Sequence, residues 1–310
     1  LVESLEDPSL IVQLSFALCV AKIQAADWDD ALRWSHTVIE FADQERVKAN
    51  LLVGSPVAIA LVFRGVARWR LGRDGWRKDL DSAVAMARTS DPVSQAVVIA
   101  YKYAVAGPVL PADDAALAEI GEALEVAERS SEDIALVILR LVQGATLVRH
   151  ASADRRRRGF DLLSELLDIC VKKRYTLNIV PSLKAYAALT KAARGDLDGA
   201  IEQLRSAADE SFDNGNLTNA EGATVALVET LLARGGEDDV AEADVAMRRL
   251  PAVLPQDGCT QSALVMTRLR ALIVRARGDE PTYRELEQSH RAMATSLGYG
   301  GRMIWPEAMP

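Results

Sequence analysis

A short polar turn followed by an amphipathic run recurs along this chain, and that recurrence constrains its fold more than any other feature. In Gly195-Asp196-Leu197-Asp198-Gly199-Ala200-Ile201-Glu202 the turn leads into Leu197, Ile201, Leu204, Ala208 and Phe212. Steps of three and four put these side chains on one helix face. The Ala- and Leu-rich stretch from Pro181 to Arg194 reads as a partner helix. Pro181 suits its first turn and Gly195 its stop. The unit returns at Asp27-Trp28-Asp29-Asp30-Ala31-Leu32, after a helix from about Leu10 to Ala25. It returns at Arg73-Asp74-Gly75-Trp76, after one from about Pro56 to Leu71, and Pro111-Ala112-Asp113-Asp114 opens a helix running to Arg129. Asp154 starts a helix with Phe160, Leu163, Leu167 and Cys170 on one face, after a partner from Ile134 to Val148. Gly235-Gly236-Glu237-Asp238 and Arg277-Gly278-Asp279-Glu280 mark two more turns. Second helices therefore start near 28, 75, 113, 154, 197, 238 and 280, a mean step of about 42 residues.

A helix pair of this size cannot bury its apolar face alone, so neighbouring pairs must stack into a continuous core. The expected fold is all-α: a right-handed superhelix of about seven antiparallel helix pairs, an α-solenoid. A single repeat domain over 1–298 and a tail over 299–310 are expected. Composition agrees. The chain is 49% apolar but only 5% aromatic, which favours close helix packing over sheets. No segment shows strict alternation bounded by hairpin turns. Small residues such as Ala31, Ala200 and Ala207 let helices approach closely.

Gly195-Asp196-x-Asp198-x-Ala200-Ile201-Glu202, with Ala207 further on, resembles the second half of a tetratricopeptide repeat, as does Asp27-Trp28-Asp29-Asp30-Ala31-Leu32. The first helices depart from that family: Lys184, Ala188 and Lys191 stand at its usual Trp, Gly and Tyr positions. The period also exceeds the roughly 34 residues of that repeat. It is closer to the longer repeats in the sensor domains of signal-transduction ATPases. A C-terminal run is similar to the tail of large actinobacterial regulators. It comprises Arg275-Ala276-Arg277-Gly278-Asp279, Tyr283-Arg284-Glu285-Leu286, His290 through Gly298, and Trp305-Pro306-Glu307-Ala308-Met309. Those regulators join a class III adenylate or guanylate cyclase domain, a STAND-type ATPase and a helical-repeat tail; relatives carry a LuxR-type helix-turn-helix. The resemblance implies a parent signalling protein or transcriptional regulator of that kind. Leu1 opens directly into helical sequence without a start Met, so the chain reads as a piece of something longer.

Motifs for chemistry are missing. There is no G-x-x-x-x-G-K-[ST], no HExxH and no clustered histidines, since His36, His150 and His290 are scattered, so neither a cofactor nor a metal is expected. Asp29-Asp30, Asp113-Asp114 and Asp238-Asp239 sit at helix starts, where carboxylates cap free N–H groups and oppose the helix dipole. Cys19, Cys170 and Cys259 show no disulfide or zinc spacing and read as buried thiols of a reducing cytosol. No apolar run reaches the roughly 20 residues of a membrane span. A net charge of −8 argues against direct nucleic-acid binding. A cytoplasmic location follows.

What remains is binding. Arg64, Arg68, Trp69, Tyr101, Lys102, Arg140, Lys184, Lys191, Arg268 and Arg275 lie on first helices, which usually line the concave side of such superhelices. They form a candidate groove for an acidic peptide or a small anionic effector, against a plain reading as ordinary solvated positions. Arg155, Arg156, Arg157 and Arg158 form a candidate docking patch for an acidic partner or phosphate, against a plain reading as a solvated corner. The first functional reading is a non-catalytic sensor and protein-interaction module, its partner another protein, a peptide or other domains of the same parent chain. The rivals are a passive scaffold and an enzyme with a cryptic pocket between helices.

Overall fold

The computed structural model describes residues 8–42, 55–106, 109–174, 179–250 and 260–299. They form α-helices in consecutive pairs, with no strand among the described residues. The first helices are α1 (Pro8–Gln24), α3 (Pro56–Arg70), α5 (Pro92–Ala100), α7 (Asp133–Val148), α9 (Val180–Ala193), α11 (Leu217–Arg234) and α13 (Thr260–Ala276). The second helices are α2 (Trp28–Ala42), α4 (Trp76–Ala87), α6 (Asp114–Ser130), α8 (Ala153–Lys173), α10 (Leu197–Asp213), α12 (Asp239–Arg249) and α14 (Glu280–Ser296). Every second helix begins within one residue of the start read from its turn. A π-helical segment, Tyr101–Val105, continues α5; no sequence signal announces it. Of the tail expected over 299–310, only Tyr299 is among the described residues, and Cys259 and Trp305 to Met309 lie outside them.

The turns work as their residues dictate. Gly195 takes φ +89°, which costs a residue without a side chain little. The N–H groups of Gly195 and Asp196 then close back on Ala192 O and Lys191 O. Asp113 and Asp196 cap their helices, accepting from Ala116 N (3.0 Å) and Gly199 N (2.9 Å). At the other two aspartate pairs the duty shifts. Asp27 caps α2 by accepting from Asp30 N at 3.3 Å, and Asp239 accepts from Gly236 N at 2.6 Å.

The contacts divide the chain into two compact units, one holding α1 to α7 and the opening of α8 through Arg156, the other holding the chain from Arg157 on together with residues 109–111. In the first unit α1 packs on α2, α2 on α3, α3 on α4, and α5 on α6 and α7. First helices also touch their next-but-one neighbours: α1 with α3, α3 with α5, α5 with α7. In the second unit consecutive helices pack from α9 to α14, and α9 with α11 and α11 with α13 repeat the pattern. This is the two-layer stack of a helical repeat, in which each pair completes the core of the next. Small residues set the spacing. Ala31, Ala200 and Ala207 are fully buried. A Cβ on Gly65 would come within 2.8 Å of Leu80 Cδ2 and 3.1 Å of Trp76 O, so α3 and α4 approach there as closely as backbones allow.

Cys19 and Cys170 are both buried. Burial pushes the Cys19 thiol up to about 12, which leaves about a thousandfold less thiolate than an ordinary cysteine at neutral pH. Neither thiol is expected to react with an aromatic disulfide reagent in the native protein, and both should react once urea unfolds it. Rapid native labelling of Cys19 would contradict this packing.

Candidate functional site

Charge is segregated between the two helix layers. First helices, with the π segment, carry twelve lysines and arginines against three aspartates and glutamates; second helices carry fifteen against twenty-five. Long cationic side chains on the first layer find carboxylates on the second. Arg64 grips Asp79 of α4 through Nε (3.0 Å) and Nη2 (2.7 Å), and Arg68 Nη1 reaches the same carboxylate at 2.8 Å. Lys102 Nζ meets Glu119 of α6 at 2.9 Å and Asp81 of α4 at 3.3 Å. Lys184 Nζ meets Glu210 of α10 at 2.5 Å. Arg268 instead pairs within the first layer, with Glu229 of α11, and Arg275 lies over the Tyr283 ring of α14 at 5.1 Å. Arg140 and Lys191 are exposed, with no ion pair among the described residues.

The aromatic members of the expected groove face inward. Trp69 is fully buried, with the Arg70 guanidinium 4.8 Å from its ring and 4.8 Å from that of Trp28. Tyr101 meets the buried Phe63 edge-on at 4.7 Å. The four-arginine run is partly occupied as well. Arg155 pairs with Asp114 and lies 2.9 Å from His150 Nε2. Arg156 donates to the carbonyls of His150 (3.0 Å) and Ala151 (2.6 Å), while Arg157 and Arg158 are exposed.

A second use of cations recurs at first-helix ends, where an arginine reaches back to the preceding second helix. Arg73 meets Asp29 (2.6 Å), Arg194 meets Asp161 (3.0 Å), Arg234 meets Asp198 (2.5 Å) and Arg277 meets Asp244 (3.4 Å). Exposed pairs of this kind add little individually; their common placement ties each pair to its neighbour. Arg234 also holds Asp239, whose carboxylate is thereby kept below the usual aspartate range. A carboxyl lowered on folding contributes stability above its unfolded value of about 3.9, and that contribution is lost as pH falls through the lower, folded value. Asp239→Asn should therefore weaken the protein at neutral pH and lose its effect in strong acid. An equal deficit at every pH in urea melts would remove Asp239 from the acid limb.

With the cations turned to the second layer, the first helices leave a different surface open. On α5 and the π segment that continues it, Lys102 points to α4 and α6, and Val93, Val97, Ala100 and Ala104 occupy the opposite, half-buried side. On α7, Ile134 is 47% exposed, and Val137, Ile138 and Leu141 follow it at helical spacing, half-buried. In the second unit the open positions form no such apolar run: Thr218, Gly222 and Val225 on α11, and Ala263, Thr267, Arg270 and Val274 on α13. The apolar stripe of α5 and α7 was missed in the sequence because both helices are apolar on nearly every side, a pattern that ordinarily means full burial. Their lack of a polar face was the available signal.

Elsewhere the outer side of α10 bears a shallow hollow of about 570 Å³ lined by Glu202, Arg205, Asp209 and Asp213. Two of these reach α12, Arg205 to Glu242 and Asp209 to Arg249, both at 2.6 Å. Among the described residues, no group of three or more His, Cys, Asp or Glu could hold a metal ion. None of the helices described is long and apolar enough to cross a membrane.

No family model matches the chain, and no curated protein matches it. Its fold does match a solved one. A Rap protein complexed with competence and sporulation factor superposes with a TM-score of 0.57 at 13% identity, over 93% of this chain and 89% of that one. The likeness speaks for the fold, a tetratricopeptide-like helical repeat.

Proposed function

We propose that this chain is a non-catalytic binding module that takes a peptide or protein segment, through apolar side chains, on the open face of its first helices. The observation that carries the reading is the stripe of Val93, Val97, Ile134, Val137, Ile138 and Leu141. It is left open on a layer whose charged side chains are largely paired away from it. Apolar surface left open on a soluble stack commonly marks an interaction site. The fold supports the reading, since it is shared with a Rap protein captured with a bound factor. In finer form, the module is the sensor of a larger signalling protein, a cyclase–ATPase or a LuxR-type regulator by resemblance. Its ligand would shift the parent between two states only by binding one of them more tightly.

The test uses the full chain as bait for a displayed library of random heptapeptides. Recovered peptides should be rich in Val, Ile, Leu and Met. Ile134→Glu and Val97→Asp should each weaken the best of them at least tenfold, with an unchanged melting curve for Ile134→Glu, whose side chain is already half in water. Recovery of no peptide, or binding by both variants as tight as that of the unaltered chain, rejects the reading.

A further inference from the structure

Arg64 and Arg68 belong to a cluster on the side of α3 that faces the second helices, away from the apolar stripe. There α3 packs against both α2 and α4. Asp79 of α4, with a side chain only 5% exposed, supplies the carboxylate, and the two arginines are 21% and 27% exposed. His36 of α2 reaches the surface, with its ring partly screened from water, and lies within the electrostatic reach of all three groups.

The charges do not cancel. Two guanidiniums share one carboxylate, which leaves a net positive charge. Asp79 uses Nε and Nη2 of Arg64 but only Nη1 of Arg68. The remaining N–H groups, on Arg68 above all, form a fork of donors that the carboxylate does not occupy. The same ion pairs hold both side chains in place, so an incoming anion would not have to order them. The field at His36 is positive as well. Its imidazole is lowered first by burial and then by Arg64 and Arg68, against the opposing pull of Asp79. α3 has no acidic residue of its own, so Asp79 of α4 is the carboxylate that its two arginines share.

We infer that Arg64, Arg68 and His36 form a binding site for a phosphate group, lying where α3 is flanked by α2 and α4. A dianion suits the site better than a carboxylate does. Its charge more than matches the single positive charge left by two guanidiniums and one carboxylate, and its three free oxygens can meet the Arg68 fork and the imidazole together, which the two oxygens of a carboxylate cannot do. The phosphate could be free or carried on a phosphorylated side chain of a partner. The site is separate from the apolar stripe, so its fate and that of the stripe are decided independently.

The probe is inorganic phosphate, titrated into the full chain at constant ionic strength while the His36 ring resonances are followed by NMR. A saturable shift is expected, with acetate giving at least tenfold weaker binding. Arg68→Gln is the decisive variant, because Arg64 still holds both oxygens of Asp79 and the fold is kept; it should weaken phosphate at least tenfold. His36→Ala, read by calorimetry, should weaken it about threefold. N-acetyl-phosphoserine amide distinguishes the sources: tighter binding than inorganic phosphate assigns the site to a phosphorylated chain, and weaker binding assigns it to free phosphate. A shift that fails to saturate, or that Arg68→Gln leaves unchanged, overturns the inference.

Discussion

Trp69→Ala is expected to lower the unfolding free energy by about 4 kcal/mol, the middle of the range for loss of a buried aromatic. Trp69 is fully buried on α3 and forms one side of the stack that holds the Arg70 guanidinium against Trp28. Its removal opens a cavity and takes away half of the aromatic surface over a guanidinium that is itself only 5% exposed. Cavity and charge effects therefore act in the same direction. Urea unfolding followed by far-UV circular dichroism measures the loss. A change below about 1 kcal/mol would mean that the stack can collapse around the missing ring, contrary to the close packing of α3.

The second large effect is expected at Asp79. Replacing Arg64 and Arg68 together by Ala should cost about 3–5 kcal/mol, because it leaves a nearly buried carboxylate with no cation beside it. Asp79→Ala alone should cost less, since both guanidiniums are a quarter exposed and can turn to water. The ordering has a sharper corollary. Adding Asp79→Ala to the double variant should restore stability, because the orphaned charge disappears. A triple variant no more stable than the double would show that the arginines act through packing of their stems. Arg68→Gln alone should be mild, since Arg64 keeps its two bonds to Asp79.

The arginines also show where sequence reading reached its limit. Arg64, Arg68, Lys102 and Lys184 were assigned to first helices, and the structure places them there. A place on a helix does not say which way a long side chain turns. Lys184 finds Glu210 and Lys102 finds Glu119, partners 26 and 17 residues away that only the stacking of the layers brings within reach. The acidic caps behaved similarly. Asp27, Asp113 and Asp196 follow the local capping rule, each accepting from the N–H three residues on, whereas the Asp239–Arg234 pair depends on how the turn closes.

The seven turns and the start of every second helix were legible in the amino-acid sequence because their causes are local. A glycine that accepts a positive φ, an aspartate that caps the next turn and apolar residues at steps of three and four all act within about ten residues. From these, the stacked helix pairs follow by the need to bury each pair's apolar face. Tertiary structure alone decided which cations are neutralised and which apolar stripe stays open. Those outcomes depend on the register between helices distant in sequence, where Coulomb attraction over a few ångströms competes with hydration. It is that register which pairs Arg64, Lys102 and Lys184 with second-helix carboxylates and leaves Val97, Ile134 and Ile138 on the open face.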